Sequence, residues 1–172
     1  MKRRPIIIIS WATVMAILFI MTGCGSSKGG KQKIIVRAGN NNIFLSSDKR
    51  GFTAIMESHN LEDLPYIKNN QDILIEFNNE KPESIRVSEH ILNKKGEPKF
   101  ATEETGKNVD IKWNGARAFF KTEPNIATLL SSDGNDYNKG AAIRGYHLTC
   151  DWGENDSEFF FIFRSDSAVL NE

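Results

Sequence analysis

Phe159-Phe160-Phe161-Ile162-Phe163 is an unbroken apolar run. A β-strand sends alternate side chains to opposite faces. A strand here therefore puts Phe159, Phe161 and Phe163 on one side and Phe160 and Ile162 on the other. Neither side tolerates water, so the strand is expected to be central in a sheet and covered on both faces. Just upstream, Tyr146, Leu148, Cys150 and Trp152 alternate with His147, Thr149 and Asp151, and Gly153-Glu154-Asn155-Asp156 supplies turn chemistry. The two stretches predict a hairpin. Everything else in the chain has to furnish its partners and its cover.

The same period of two recurs upstream. Ile34-Ile35-Val36 reads as a strand, Asn40-Asn41-Asn42 as a turn and Ile43-Phe44-Leu45 as a return strand. Between Phe52 and His59 the periodicity fits a strand and a short helix equally. Leu61 to Gln71, with Pro65 and Asn69-Asn70, reads as a connection. Ile73, Ile75 and Phe77 alternate with Leu74, Glu76 and Asn78, and after a turn through Pro82 the residues Ile85, Val87, Glu89 and Ile91 alternate with Arg86, Ser88, His90 and Leu92. Lys94 to Pro98 ends that strand, and residues 99–108 read as a surface loop. Val109, Ile111 and Trp113 share a face before Asn114-Gly115, a hairpin-turn signal, and Ala116, Ala118 and Phe120 return. Ile126 to Leu130 fits a strand or one helical turn, and Ser131 to Gly140 is a polar loop. These segments amount to roughly seven to nine short strands with turns about every eight to twelve residues, the spacing of an all-β sandwich. No internal repeat supports a propeller or solenoid.

The N-terminal segment has a different character. Lys2, Arg3 and Arg4 precede an apolar run from Ile6 to Met21, broken only by Ser10 and Thr13, which is the layout of an export signal. The run is shorter than the roughly 20 apolar residues a spanning helix needs. At its end, Met21-Thr22-Gly23-Cys24 resembles the lipobox of bacterial lipoproteins, with Met21 where leucine is usual and Thr22 where alanine or serine is usual. The resemblance implies cleavage between Gly23 and Cys24 and a diacylglyceryl group on the Cys24 sulfur. The mature protein would then be lipid-anchored at the extracytoplasmic face of the cell membrane, held by acyl chains. The alternative is an uncleaved transmembrane anchor with an incidental cysteine. The short run, and Gly25-Ser26-Ser27 directly after Cys24, favour cleavage. The expected organisation is a signal peptide over 1–23, a flexible tether over 24–33 and a β-sandwich over 34–172.

Cleavage would leave 149 of the 172 residues, enough for a domain with its own core. With Lys2, Arg3 and Arg4 removed, 19 Lys and Arg stand against 22 Asp and Glu, a formal charge of −3. No basic stripe is present, which sets nucleic acid aside as a partner. The tether from Gly25 to Lys33 has no apolar side chain and reads as a solvated random coil. Its three lysines, Lys28, Lys31 and Lys33, are fewer than a lipid-binding polybasic segment carries. A lipidated Cys24 leaves Cys150 without an intrachain disulfide partner, so the domain has to rely on its core.

From Asp72 onward the layout resembles small extracytoplasmic β domains of uncharacterised Firmicutes lipoproteins. Similar domains stand outside the membrane in some sensor-type membrane metallopeptidases. The likeness is carried by Ile73-Leu74-Ile75-Glu76-Phe77, by Lys81-Pro82-Glu83-Ser84-Ile85-Arg86-Val87, and by Arg144 to Trp152 followed by Phe159 to Phe163. It implies an immunoglobulin-like sandwich with a binding or sensing role. Peptidase activity does not carry over, because His-Glu-x-x-His does not occur.

Chemistry-bearing residues are sparse. There are three histidines, His59, His90 and His147. His147 and Cys150 fall on opposite faces of one strand, which disfavours a shared metal. Cys150 shares a face with Leu148 and Trp152 and is expected to be buried and inert. Ser131 to Asn138 offers oxygen ligands but lacks the terminal glutamate of a calcium loop, and turn chemistry accounts for it. Glu62-Asp63 and Glu103-Glu104 read as solvated loop charges rather than an acid–base pair. No catalytic residue, metal or cofactor is expected. The expectation is a membrane-anchored binding or sensing module of the cell envelope, with an envelope protein, peptidoglycan or a small ligand as partner. The alternative is a small envelope hydrolase with an unrecognised active site.

Overall fold

The computed structural model describes residues 33–78, 80–100, 106–153 and 155–168. The chain separates into two units between Lys31 and Gln32, and every described residue belongs to the second. The expected signal peptide, Gly23, Cys24 and the tether up to residue 32 lie outside the described residues.

Ten strands are present among the described residues: β1 Ile34–Ala38, β2 Asn41–Asn42, β3 Leu45–Ser46, β4 Asp72–Phe77, β5 Ser84–Leu92, β6 Lys107–Asn108, β7 Lys112–Asn114, β8 Arg117–Lys121, β9 Ala142–Asp151 and β10 Asp156–Ser165. They form two five-stranded antiparallel sheets, β2-β1-β4-β8-β7 and β3-β10-β9-β5-β6. β2, β3 and β6 are two residues long, too short to leave an alternation in sequence. The single α-helix among the described residues, α1, spans Phe52–Ser58.

The sheets pack face to face in a sandwich-like arrangement around one apolar cluster. Val36, Ile73, Ile75, Ala118 and Phe120 come from the first sheet, and Val87, Leu148, Cys150, Phe161 and Phe163 from the second. Phe120 reaches across to Tyr146, with ring centroids 5.1 Å apart. Burying each large side chain of this set contributes about 1.5–3 kcal/mol.

The hairpin predicted from the apolar run is β9–β10, in register from Asp156↔Asp151 to Ser165↔Ala142. Its two-sided burial is explained by α1. Phe159, Phe161 and Phe163 face the inter-sheet core, while Ile162 joins Phe52, Ile55, Leu64, Leu92 and Ile143 in a second cluster under the helix. Gly145 is the seat for this helix: a Cβ there would stand 2.9 Å from the Phe52 ring and 2.6 Å from Leu92. The central strand of the sheet is β9 rather than β10, because the edge pairing of β10 is completed only by two residues of β3.

Several local expectations shift. Ile43-Phe44-Leu45 is not one return strand: Asn41–Asn42 pairs with β1, after which the chain crosses to the other sheet, where Leu45 meets Phe161. Phe52 to Ser58 is helical. The hairpin turn lies one residue further on, at Gly115-Ala116, with Asn114 already paired to Arg117 and Gly115 at φ 62°. Ile126–Leu129 and Gly134–Tyr137 are 3-10 turns, each capped by a side chain, Asn125 and Asp133.

Candidate functional site: a polar cleft at the open edge between the sheets

Position parity decides where the charges of β5 and β9 fall. Glu89 lies two residues beyond Val87, and Arg144 two before Tyr146, so both point between the sheets. They end up 4% and 1% exposed and form an ion pair, with Arg144 Nε donating to Glu89 Oε1 at 2.5 Å. Nη1 donates to Asn69 Oδ1 at 3.0 Å and Nη2 to the Glu123 carbonyl at 2.7 Å. Two of these partners lie on the segments that close this end of the sandwich. Thr122, fully buried, ties them together: its hydroxyl donates to the Lys68 carbonyl and accepts from the Gln71 N–H, both at 3.0 Å. Arg144 thus clamps β9 to both the exit of β8 and the connection before β4. A buried pair is stable only when its remaining donors are met, and Asn69 and Glu123 meet them here.

Beside this pair Tyr146 is sandwiched between aromatic rings. Its ring stacks on Phe161 at 5.2 Å and on Phe163 at 5.1 Å, nearly parallel to both. Its hydroxyl is buried against the Glu89 and Arg144 side chains, without a well-aligned hydrogen bond to either. Burial, opposed in part by the Arg144 charge, holds the phenol well above its ordinary pKa, so it stays a neutral hydroxyl.

Glu89, Arg144 and Tyr146, themselves all but closed to solvent, lie at the base of a cleft of about 500 Å³. It opens where the chain crosses from β6 to β7. Phe119 and Phe120 of β8 form one side, and Lys107, Asn108 and Val109 the other. The mouth is charged with both signs. Lys107 Nζ and Glu123 Oε2 stand 3.5 Å apart across it. Asp72 and Lys121 are direct cross-strand neighbours, within reach of each other. Asp110 and Lys112 also line it.

The residues singled out in sequence do not converge on this cleft. His59 packs at a tilt against Phe44, with ring centroids 4.0 Å apart, His90 is buried beside Ser88 and Phe52, and His147 lies flat on Phe160 at 4.5 Å. No metal-holding group of His, Cys, Asp and Glu occurs among the described residues. Cys150 is buried in the core, and desolvation pushes its thiol up to about 12. In the polar loop, Asp133 caps Asn135 and the Asp136 carboxylate is taken by Lys99 and Ser131, which hold it below the usual carboxylate range. Asn60 caps a short 3-10 turn and its N–H donates back to Asp63 Oδ2 at 3.2 Å, and Glu62 beside it is exposed. Glu103 and Glu104 lie outside the described residues. Sequence reasoning misses Glu89 and Arg144 as site residues. The signal that could have found them is one residue of each charge at a core-facing position of two alternating strands.

Fold and cleft together define the class: a two-sheet antiparallel β protein with one helix on an outer face and a polar cleft between the sheets. Compared with known proteins, the chain matches no protein-family profile, no curated protein and no solved structure.

Proposed function

We propose that the chain is a membrane-anchored extracytoplasmic lipoprotein whose immunoglobulin-like domain binds a small ligand in the cleft between its sheets. The observation that carries binding rather than hydrolysis is the engagement of Glu89. The buried carboxylate at the base of the cleft is already taken by Arg144, so it does not serve as a free general base. A cleft of this size, with aromatic walls and a few convergent polar groups, is the usual form of a small-molecule site.

The immunoglobulin-like reading is supported by strand order. β1-β4-β8-β7 follows the A-B-E-D order of such domains, and β10-β9-β5 the G-F-C order. The antiparallel pairing of the short β3 with β10 is a local addition. Cys150 then falls on strand F, where antibody domains carry one half of their inter-sheet disulfide. Here the thiol is free and the core stands in for the bond.

Anchoring is supported by Met21-Thr22-Gly23-Cys24 behind its apolar run. Metabolic labelling with a fatty-acid analogue tests it: wild type takes up label and Cys24→Ala does not, and equal labelling overturns the anchor. Binding is tested by native mass spectrometry of the full chain after exposure to the low-mass fraction of an envelope extract. A non-covalent adduct is expected on wild type and is lost when Val109→Trp fills the cleft. Conversion of an extract component into two fragments would favour the hydrolase.

A further inference from the structure

Resting on the reading of the chain as anchored through Cys24, we propose that the open outer face of the first sheet, an apolar centre ringed by four cations, docks on the anionic bilayer that holds the anchor.

Parity defines this face. β1, β4 and β8 send Val36, Ile75 and Ala118 into the core, so their alternate residues turn outward. One cross-strand row runs Arg37, Leu74, Phe119 and Lys112 over β1, β4, β8 and β7. Its middle is apolar: Leu74 and Phe119 are half-buried, as is Ile35 beside them. The single α-helix among the described residues packs on the second sheet instead. Half-buried apolar groups within a charged rim suit the headgroup level of a bilayer.

The charge on this face runs against that of the domain. Arg37, Lys112, Arg117 and Lys121 stand on it with two carboxylates, Asp72 and Glu76, whereas the rest of the mature chain has 15 cations against 20 carboxylates. Glu76 lies between Arg37 and Arg117, at 3.5 and 3.0 Å, and Asp72 is opposite Lys121. Two positive charges remain in surplus. An anionic surface is attracted here and repelled by the acidic remainder.

The point of chain entry completes the case. Ile34 pairs with Phe77 at the end of β4, so the tether joins the domain at a border of the same sheet. Fully extended, Gly25 to Lys33 spans at most about 30 Å, which keeps the face close to the bilayer. Lys28, Lys31 and Lys33 are too few alone for a polybasic segment. With the four cations of the face they make seven, within the roughly four to eight that such a segment carries.

The test puts a probe on the face. With Cys24 lipidated and Cys150 buried, Asn114→Cys, exposed opposite Arg117, takes a single fluorophore. The full chain is reconstituted from detergent into phosphatidylcholine vesicles, with or without about one-third phosphatidylglycerol, that carry a quencher at the headgroup. Flotation with both vesicles is expected, and quenching only with phosphatidylglycerol. Quenching should fade at about 1 M salt, where the Debye length is about 3 Å. A probe at Lys95→Cys, on an exposed turn away from the face, should stay bright. Lys112→Gln with Lys121→Gln should lower the docked-to-free ratio about 25-fold, roughly fivefold per charge. Lys94→Gln with Lys95→Gln, the same change of charge elsewhere, should leave it unaltered. A chain that does not float on phosphatidylcholine overturns the anchor and the docking with it. Flotation without quenching on the anionic vesicles, equal quenching on both, or equal losses from the two lysine pairs overturns the docking and leaves the anchor standing. A probe that responds to added polyglutamate but not to phosphatidylglycerol overturns the bilayer in favour of an acidic polymer.

Discussion

Removing the Glu89 carboxylate leaves the Arg144 guanidinium charged in a place that water does not reach. Arg144 is 1% exposed and Glu89 4%, so bulk solvent cannot replace the lost partner. After Glu89→Ala the guanidinium keeps Asn69 and the Glu123 carbonyl, both neutral. Breaking one side of such a pair costs about 3–5 kcal/mol. The reverse substitution, Arg144→Met, is partly cushioned. Asn69 Oδ1 retains the Ser165 hydroxyl at 3.0 Å, but Glu89 and the Glu123 carbonyl both lose a donor. Removing both charges is a different experiment. In Glu89→Leu with Arg144→Met no ion is stranded, and such replacements are often neutral or stabilising. With the Glu123 carbonyl unmet, the double variant is expected within about 2 kcal/mol of wild type. Urea unfolding followed by circular dichroism reads all three. At a slope of about 2 kcal/mol/M the single variants lose about 1.5–2.5 M in midpoint and the double less than about 1 M. A Glu89→Ala cost under about 1 kcal/mol, or a double variant that simply adds the two single losses, would refute the account of the clamp.

Three further outcomes follow from other parts of the fold. Gly145→Ala drives a Cβ to 2.6 Å from Leu92 and 2.9 Å from the Phe52 ring and should cost about 1–3 kcal/mol in urea unfolding; Gly134→Ala, with open space around it, should cost far less. The Cys150 thiol, pushed up to about 12 by desolvation, should resist iodoacetamide at pH 8 in the native state and react fully in urea; rapid native labelling would contradict its burial. Tyr66 donates to Asp166 Oδ2 at 2.7 Å, and that bond raises the phenol to about 12. Because the folded value lies above the ordinary 10, the stabilisation is fully present below pH 10 and lost as pH rises towards 12. The stability difference between wild type and Tyr66→Phe should therefore shrink across that window, and a difference constant from pH 8 to 12 would count against the bond.

Strands with one wet face are legible in the order of residues alone. Ile73, Ile75 and Phe77 alternate cleanly and are all buried in β4. Where the local pattern misleads, distant residues decide. Leu45 leaves the expected return strand because its partner, Phe161, lies more than a hundred residues away in the other sheet. Phe52 and Ile55 suit a helix and Phe52 and Ala54 suit a strand; the bare backbone at Gly145, which receives the Phe52 ring, favours the helix. The cleft is harder still. Lys107, Lys121 and Glu123 are ordinary surface charges in sequence, and only the approach of β6, at the edge of one sheet, to the end of β8 in the other turns them into the rim of a cavity.

The second cluster under α1 bears on the cleft itself. β9 and β10 carry apolar side chains on both faces, so the helix packed on one face and the first sheet on the other hold them rigidly. Tyr146 and Arg144 stand on β9, braced by the Phe161 and Phe163 rings behind them. The opposite wall is built differently: β6 has two residues and β7 three, all exposed, and each stands at the edge of its sheet among the described residues. Few buried contacts make a segment cheap to open locally. A site with one wall set by two packed layers and the other by short edge strands can keep its polar groups in register while the mouth adjusts to what enters. That asymmetry follows from the feature that first constrained the fold. The two-sided apolar hairpin demanded a second layer of cover, and the strands it did not require were left at the edge.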